Sequence, residues 1–319
     1  MLSPKLFTGS SNPELCHKVA RELQIEVGAV DVKRFSDGEV DVCFNESVRE
    51  HDVFLFQSTS YPGNDHLMEL LLMVDACRRA SAARVNAVIP YFGYSRQDRQ
   101  MQPRVPISAK VVANMLAAVH IDRLITIDIH APQIQGFFDM PVDHLRTAQL
   151  LTEHMAGKLE EPVVVSPDAG GVELASNIAM GLGGIMALID RRRGAPPKAK
   201  AMHLVGDVEG QDCILVDDMI DTAGTLTEAA DLLITSGARS VRAAVTHPVL
   251  SGSAIERLER SKISELICTD TIPLPVEKRI DKITVVSVAP LLAAAVRNIH
   301  TGESVTQLSA TRQLSFGLG

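Results

Sequence analysis

A chain of 319 residues, 46% hydrophobic and 22% charged, is long enough to bury two ordinary cores and reads as a globular protein of two domains. Its net charge of -8 excludes a general nucleic-acid surface, and no run nears the roughly 20 apolar residues of a membrane span. Cys16, Cys43, Cys77, Cys213 and Cys268 are odd in number and form no C-x-x-C pair. This argues against a disulfide framework or a zinc site and for a reducing, cytoplasmic setting. The opening Met1-Leu2-Ser3-Pro4-Lys5 has no basic stretch followed by an apolar one, so no signal peptide is expected.

Short apolar runs alternate with amphipathic segments along the chain. Strands are expected at residues 5–8, 52–57, 84–89, 123–128, 162–166, 185–190, 213–217, 240–246, 265–268 and 283–287. Between them lie helical patterns, clearest at 64–80 and 223–236, with apolar residues three and four apart. Fully apolar strands separated by helices imply an α/β fold with parallel sheets covered on both faces. Residues 31–44 instead alternate polar and apolar, which predicts a hairpin-like excursion. Residues 92–107 are polar, carry Arg96, Arg99 and Arg104, and contain Pro103 and Pro106; a loop this long implies flexibility or function. Residues 191–202 (RRRGAPPKAKAM) read as a second, basic, mobile loop. A boundary near 143–146 gives domains 1–145 and 146–319, without a clear internal repeat.

The strongest local signal is Ile214-Leu215-Val216-Asp217-Asp218-Met219-Ile220-Asp221-Thr222-Ala223-Gly224-Thr225. A buried strand is expected to end at two carboxylates, followed by a turn of small and hydroxyl residues and then a helix. Such a turn points backbone N–H groups at a phosphate, aided by the positive end of the helix. Asp217 and Asp218, beyond the strand's carboxyl end, suit a sugar diol or a metal ion. The plainer alternative is a capped helix with Asp221 or Thr222 as N-cap. No G-x-x-x-x-G-K-[ST] occurs, which excludes a P-loop NTPase, and no G-x-G-x-x-G lies between a strand and a helix.

That stretch resembles the phosphoribosyl diphosphate-binding loop of phosphoribosyltransferases. Five further motifs narrow the resemblance: Phe35-Ser36-Asp37-Gly38-Glu39, Ser95-Arg96-Gln97-Asp98-Arg99, Asp128-Ile129-His130, Gln133-Ile134-Gln135-Gly136-Phe137-Phe138, and Ser166-Pro167-Asp168-Ala169-Gly170-Gly171. All resemble ribose-phosphate diphosphokinases, in that family's order, from about Phe7 to Val305. The resemblance implies two packed phosphoribosyltransferase-type domains, each a mostly parallel sheet flanked by helices. It implies transfer of the diphosphoryl group of ATP to the anomeric hydroxyl of ribose 5-phosphate, with Mg2+. It further implies ATP bound across a subunit contact, self-association as a hexamer, and a last helix that packs back on the N-terminal domain.

Residue by residue, the resemblance assigns Phe35, Asp37 and Glu39 to adenine, and Arg96, Gln97, Asp98 and Arg99 to ATP. Asp168, Asp217, Asp218, Asp221, Thr222, Ala223, Gly224 and Thr225 fall to ribose 5-phosphate. Asp128, His130, Asp139, Asp143 and Asp168 fall to metal, and Arg191, Arg193 and His130 to catalysis. Ser47, Arg49, Ser81, Arg104, Gln135 and Ser304 match an allosteric phosphate or ADP site. Taken without the resemblance, Phe35 reads equally as a core residue of a half-exposed strand, Arg96 as an exposed loop arginine and His130 as structural. Asp168 reads as a helix N-cap, and Asp139 and Asp143 as loop acids. Three positions depart from the family pattern: Arg191 stands at a usual Lys, Leu174 at a frequent Arg, and Gln100 at a common Lys or Arg. Arg does not replace Lys conservatively at a tight site. These departures keep open a second reading, a weakly active or non-catalytic partner of a synthetase; a plain phosphoribosyltransferase is the third.

Overall fold

The computed structural model describes residues 3–159, 161–191 and 202–309. The described residues divide into two compact units: the first comprises residues 3–146, Thr271–Pro273 and Ser287–Ser309, the second those within Thr147–Asp270 and Leu274–Val286.

In the first unit the elements run β1 (Lys5–Thr8), α1 (Pro13–Leu23), β2 (Val30–Arg34), β3 (Val40–Phe44), β4 (Asp52–Phe56), α2 (Gly63–Arg79), β5 (Arg84–Ile89), α3 (Ser108–Ala118), β6 (Arg123–Ile127) and β7 (Val142–Leu145). Five strands form one parallel sheet in the order β1-β4-β5-β6-β7. Phe7, Leu55, Leu70, Val74, Ile89, Leu116 and Leu124 pack its core without exposure; each such side chain contributes roughly 1.5–3 kcal/mol by leaving water. The hairpin expected within 31–44 is present as β2 and β3, paired antiparallel and separate from the main sheet.

β7 was not among the expected strands. Just before the passage into the second unit at Arg146–Thr147, residues 142–145 pair in parallel with β6, Leu124 opposite Val142 and Ile127 opposite Leu145. An edge strand has one open side, so the polar pair Asp143-His144 is tolerated where a central strand would need apolar residues.

The second unit continues with α4 (Ala148–Met155), β8 (Val163–Ser166), α5 (Val172–Leu182), β9 (Ile185–Arg191), β10 (Met202–Val205), β11 (Asp212–Ile220), α6 (Gly224–Thr235), β12 (Ser240–Pro248), α7 (Ala254–Arg260), β13 (Ile263–Thr269) and β14 (Ile283–Val286). Its sheet runs β10-β9-β8-β11-β12-β13-β14, parallel except for β10 at one edge. Successive residues of β11 feed opposite faces. Cys213 and Leu215 join the core under α6, with Leu226 and Leu233, while Ile214 and Val216 join the one under α4 and α5, with Leu151 and Ile178. This two-sided burial is why the strand reads as an unbroken apolar run.

α8 (Ala289–Thr301) and α9 (Thr306–Ser309) return to the first unit, where α8 packs on α1. Its His300 Nδ1 lies 3.0 Å from the carboxylate of Asp52, a residue with 0% exposure. Arg84 Nε and Asn86 Nδ2 donate to the same carboxylate at 3.0 and 2.8 Å.

Candidate active site

β11 is longer than expected. Its ladder with β8 stops at Leu215, opposite Val165, but its ladder with β12 runs on to Ile220, opposite Pro248. Asp217 and Asp218 therefore sit within the strand and not past its end. They occupy the overhang where β8 has already turned away into the segment bearing Asp168. That segment is packed tightly. A Cβ added at Gly171 would lie 2.8 Å from Ser166 Oγ and 3.6 Å from Val216 O, so a larger residue there would have to displace the Ser166 hydroxyl. Ser166 Oγ donates to Asp168 O at 2.6 Å, and Gly170 N donates to Asp168 Oδ1 at 2.8 Å. Asp168 is thus the N-cap of a short 3-10 turn, Ala169–Gly171, whatever else it does.

Burial pushes the Asp217 carboxyl well above the usual carboxylate range, and the charges of Asp218 and Asp168 push the same way. A site that crowds these acids favours a cation, or hydroxyl donors, between them.

After β11 the chain makes a tight turn into α6. Ala223, not Asp221 or Thr222, is the N-cap; it lies in the left-handed region at φ 63° and ψ -4°, and no side chain caps the helix. That conformation costs an L-residue about 1–2 kcal/mol. The first turn of α6 holds no acidic residue. A Cβ at Gly224 would meet only ordinary contacts, Arg257 Nη1 at 3.5 Å and Thr222 Oγ1 at 3.8 Å, so the fold itself does not demand glycine there. The Asp221 carboxylate accepts from Ser251 Oγ.

In the first unit, Phe35, Ser36, Asp37, Gly38 and Glu39 form the exposed tip of the β2–β3 hairpin. Phe35 N donates to Glu39 O, Gly38 N to Phe35 O, and Glu39 N to Asp37 Oδ1. Phe35 is 55% exposed, which removes the reading of it as a core residue. Arg34 braces the tip: Nη1 donates to Gly38 O at 3.2 Å, while Nη2 lies 3.4 Å from both Asp65 and Glu69. Glu69, 2% exposed, also accepts from Ser10 Oγ and Gln57 Nε2, each at 2.6 Å.

Residues 92–107 are tied to the unit at several points. Gln97 Oε1 accepts from Ser108 Oγ, Asp98 accepts from Gln133 Nε2, and Gln100 Nε2 donates to Val105 O at 2.8 Å. Arg99 lies 3.5 Å from Asp98; Arg96 and Arg99 are both exposed.

The residues assigned to metal are dispersed in their local settings. Asp128 is buried at φ 35°, its N–H donating to Leu145 O and its carboxylate 3.8 Å from Arg146. His130 and Asp139 are exposed. Asp143 lies on β7, not in a loop, and is paired with Arg123 at 2.6 Å. Among the described residues, no group of three or more His, Cys, Asp or Glu side chains is disposed to hold a metal ion. Arg191 ends β9, where it stands opposite Met202; its side chain, and all of Arg193, lie outside the described residues.

Two family models match the chain: the N-terminal domain of ribose phosphate pyrophosphokinase over residues 4–119, and the phosphoribosyl synthetase-associated domain over residues 188–310. Ribose-phosphate pyrophosphokinases of Bacillus caldolyticus and Bacillus subtilis are 53% and 51% identical over 305 residues, which is 95% of this chain and 97% and 96% of theirs. The chain belongs to the ribose-phosphate pyrophosphokinase family. A crystal structure of phosphoribosylpyrophosphate synthetase from Mycobacterium smegmatis matches it with a TM-score of 0.88 and 45% identity, covering 94% of this chain and 100% of that one. The two units are accordingly phosphoribosyltransferase-type domains, each a largely parallel sheet between helices.

Within this pyrophosphokinase fold, the positions matched to an allosteric site fall in several local settings. Ser47 Oγ accepts from Arg49 N, and Glu50 N donates to Ser81 O, so Ser47, Arg49 and Ser81 lie in neighbouring turns. Arg104 is exposed at φ 66°. Gln135 turns its amide inward, toward Pro132 O at 3.1 Å and His144 Nδ1 at 3.3 Å. Ser304 Oγ accepts from Thr306 N.

Sequence reading missed Arg34, Glu69, Ser251 and Arg257. The first two flank the Phe35 motif and the α2 pattern, but their pairing joins residues 35 apart, which no local signal reports.

Proposed function

We propose that this chain transfers the diphosphoryl group of ATP to the anomeric hydroxyl of ribose 5-phosphate, yielding phosphoribosyl diphosphate and AMP. The observation that carries this reading is the β11–α6 turn. It presents a helix start without a side-chain cap or first-turn acid, beside a strand overhang bearing Asp217 and Asp218. A phosphate fits the helix end, and a ribose diol fits the carboxylates.

Ribose 5-phosphate is held by the backbone of Asp221, Thr222, Ala223, Gly224 and Thr225, with Asp168, Asp217 and Asp218 toward its hydroxyls. The adenine of ATP stacks on Phe35 and donates to Asp37 and Glu39. Arg96 and Arg99 suit the phosphates through their planar forks, with Gln97 and Asp98 shaping the loop. Mg2+ would supply neutralisation of the phosphate charge; in the second unit the hard carboxylate oxygens of Asp217, Asp218 and Asp168 suit water molecules of its shell, and in the first unit Asp128 offers the same chemistry. In the transfer, the anomeric oxygen bonds to the β-phosphorus. The bond from that phosphorus to the oxygen bridging it to the α-phosphorus breaks, AMP departs with the electron pair, and the hydroxyl proton leaves to water. Such transfers ask a protein mainly for positioning and charge stabilisation, the role given to His130, Arg191 and Arg193.

The same reading has the chain self-associate as a hexamer, as the family resemblance implies, with one copy's exposed Phe35 completing a neighbour's site. Phosphate or ADP regulation through Ser47, Arg49, Ser81, Arg104, Gln135 and Ser304 belongs to the same reading. So does a cytoplasmic setting; among the described residues no helix is long and apolar enough to cross a membrane.

The deciding assay supplies ATP, ribose 5-phosphate and Mg2+ and measures AMP. AMP formation that needs all three is expected, and chelation of Mg2+ should abolish it. No AMP from folded protein would overturn the reading in favour of a non-catalytic partner. Base-dependent release of diphosphate from phosphoribosyl diphosphate would favour a transferase.

A further inference from the structure

The segment that follows β12 backs the β11–α6 turn one residue at a time. Leu250 N donates to Ile220 O and Ser251 N to Asp221 O, each at 3.0 Å, and Ser251 Oγ donates to the Asp221 carboxylate. Next in line, Arg257 on α7 donates from Nη1 to Thr222 O at 2.8 Å. The carbonyls of three successive residues are therefore held from one side by the chain that follows β12.

A trans peptide is planar, with its C=O and N–H pointing in opposite directions. Once Arg257 holds the Thr222 carbonyl, the Ala223 N–H must face the other way. Ala223 is left-handed without being glycine, so its conformation persists only where its surroundings impose it. Arg257 is the cationic side chain recorded at this peptide, and its Nη1 also lies 3.5 Å from where a Gly224 Cβ would stand. The guanidinium thus places a full positive charge beside the start of a helix whose own first turn carries no acid.

We infer that Arg257 is a positioning residue for sugar-phosphate binding: it fixes the Thr222–Ala223 peptide so that the turn's N–H groups face the phosphate, and its charge strengthens their pull. This rests on the reading of the turn as the ribose 5-phosphate cradle. Arg257 is exposed, so replacing it leaves the core intact.

Calorimetric titration of the full-length protein with ribose 5-phosphate, and separately with ATP, tests it. Arg257→Gln should weaken ribose 5-phosphate binding about tenfold, the loss expected for one charge-assisted hydrogen bond. ATP binding should stay within about twofold, and the melting temperature of the unliganded protein should not move. Arg257→Lys, which keeps the charge without the planar fork, should recover part of the loss. Unchanged ribose 5-phosphate affinity in Arg257→Gln would overturn the inference, as would an equal loss for both ligands with a lowered melting temperature. Gly224→Val separates the two layers. If it too leaves ribose 5-phosphate binding intact, the cradle reading itself falls; if only Gly224→Val weakens binding, Arg257 alone is wrongly assigned.

Discussion

The turn after β4 and the turn after β11 join the same kinds of element, a largely buried strand and a helix that begins on glycine, Gly63 in one and Gly224 in the other. The first turn has consumed its own polar groups. Gln57, Ser58, Thr59 and Ser60 are 1–6% exposed. Gln57 binds Ser11 N, His66 O and Glu69; Ser58 Oγ donates to Thr271 O; Thr59 Oγ1 accepts from Gly93 N; His66 Nδ1 lies 2.8 Å from Ser60 O. Asp65 adds an acid to the first turn of α2. The second turn is braced from behind by Leu250, Ser251 and Arg257, and keeps acids out of its helix start. A strand–turn–helix suits a phosphate where the turn is held in place from behind and where neither a side-chain cap nor a first-turn acid occupies the helix start.

The paired glycines offer the sharpest way to break this comparison. A Cβ at Gly63 meets nothing within 4 Å, and one at Gly224 meets only ordinary contacts, so valine at either position should leave the fold stable. Gly224→Val should weaken ribose 5-phosphate binding by about 100-fold, since small displacements at a tightly positioned ligand are that costly. Gly63→Val should change it by less than about twofold. Equal effects in calorimetric titrations would erase the distinction between the turns.

A middle-sized effect is expected at the hairpin. Arg34→Ala removes the brace from Gly38 O to Asp65 and Glu69. The pairing is half exposed, so ATP affinity should fall about fivefold at most, with ribose 5-phosphate affinity unchanged. An unchanged preference for ATP over GTP in Arg34→Ala would mean that the tip does not need this brace.

The smallest effect concerns stability and pH. The Asp217 carboxyl is raised by burial and by Asp218, so between the ordinary carboxylate value and its own higher one the folded chain binds more protons than the unfolded. Stability therefore falls as pH rises through that window, and the penalty is absent below about pH 4. Asp217→Asn should raise the melting temperature at neutral pH by a few degrees, with the gain vanishing as the pH is lowered toward 4. Mg2+ should narrow the difference by stabilising the native carboxylate. A gain of the same size at pH 4 and pH 7 would show that the charge of Asp217 is not its source.

Much of this was legible from the chain. Buried strands announce themselves by unbroken apolar runs, and β4, β5, β6 and β12 lie within a few residues of where those runs end. β7 and β10 escaped because edge strands tolerate polar residues and break the run. β11 overran its expected end since Asp217 and Asp218 look like a stop signal, although backbone pairing with β12 is indifferent to side-chain charge. In the candidate site, motifs marked the Ala223 turn and the Phe35 tip. They could not mark what holds them, because Arg257 reaches back 35 residues to Thr222 and Glu69 lies 35 residues beyond Arg34. Patterning along a chain records periodicity, not contact across it.

Asp52 has a further consequence, for synthesis. Its fully buried carboxylate is matched by Arg84, Asn86 and His300, and His300 lies 248 residues away on α8. The first unit is discontinuous in the chain, whereas the strands and helices of the second lie within a single stretch interrupted only at Thr271–Pro273. On the ribosome the usual order is therefore inverted. The strands of the N-terminal sheet are all made by Leu145, but the packing of that unit is not complete until α8 arrives, roughly 8–30 s after residue 146 at ordinary elongation rates. Until then Asp52 and Arg84 lack their histidine and α1 lacks its neighbour, so the half of the molecule that is made first is the half that is finished last.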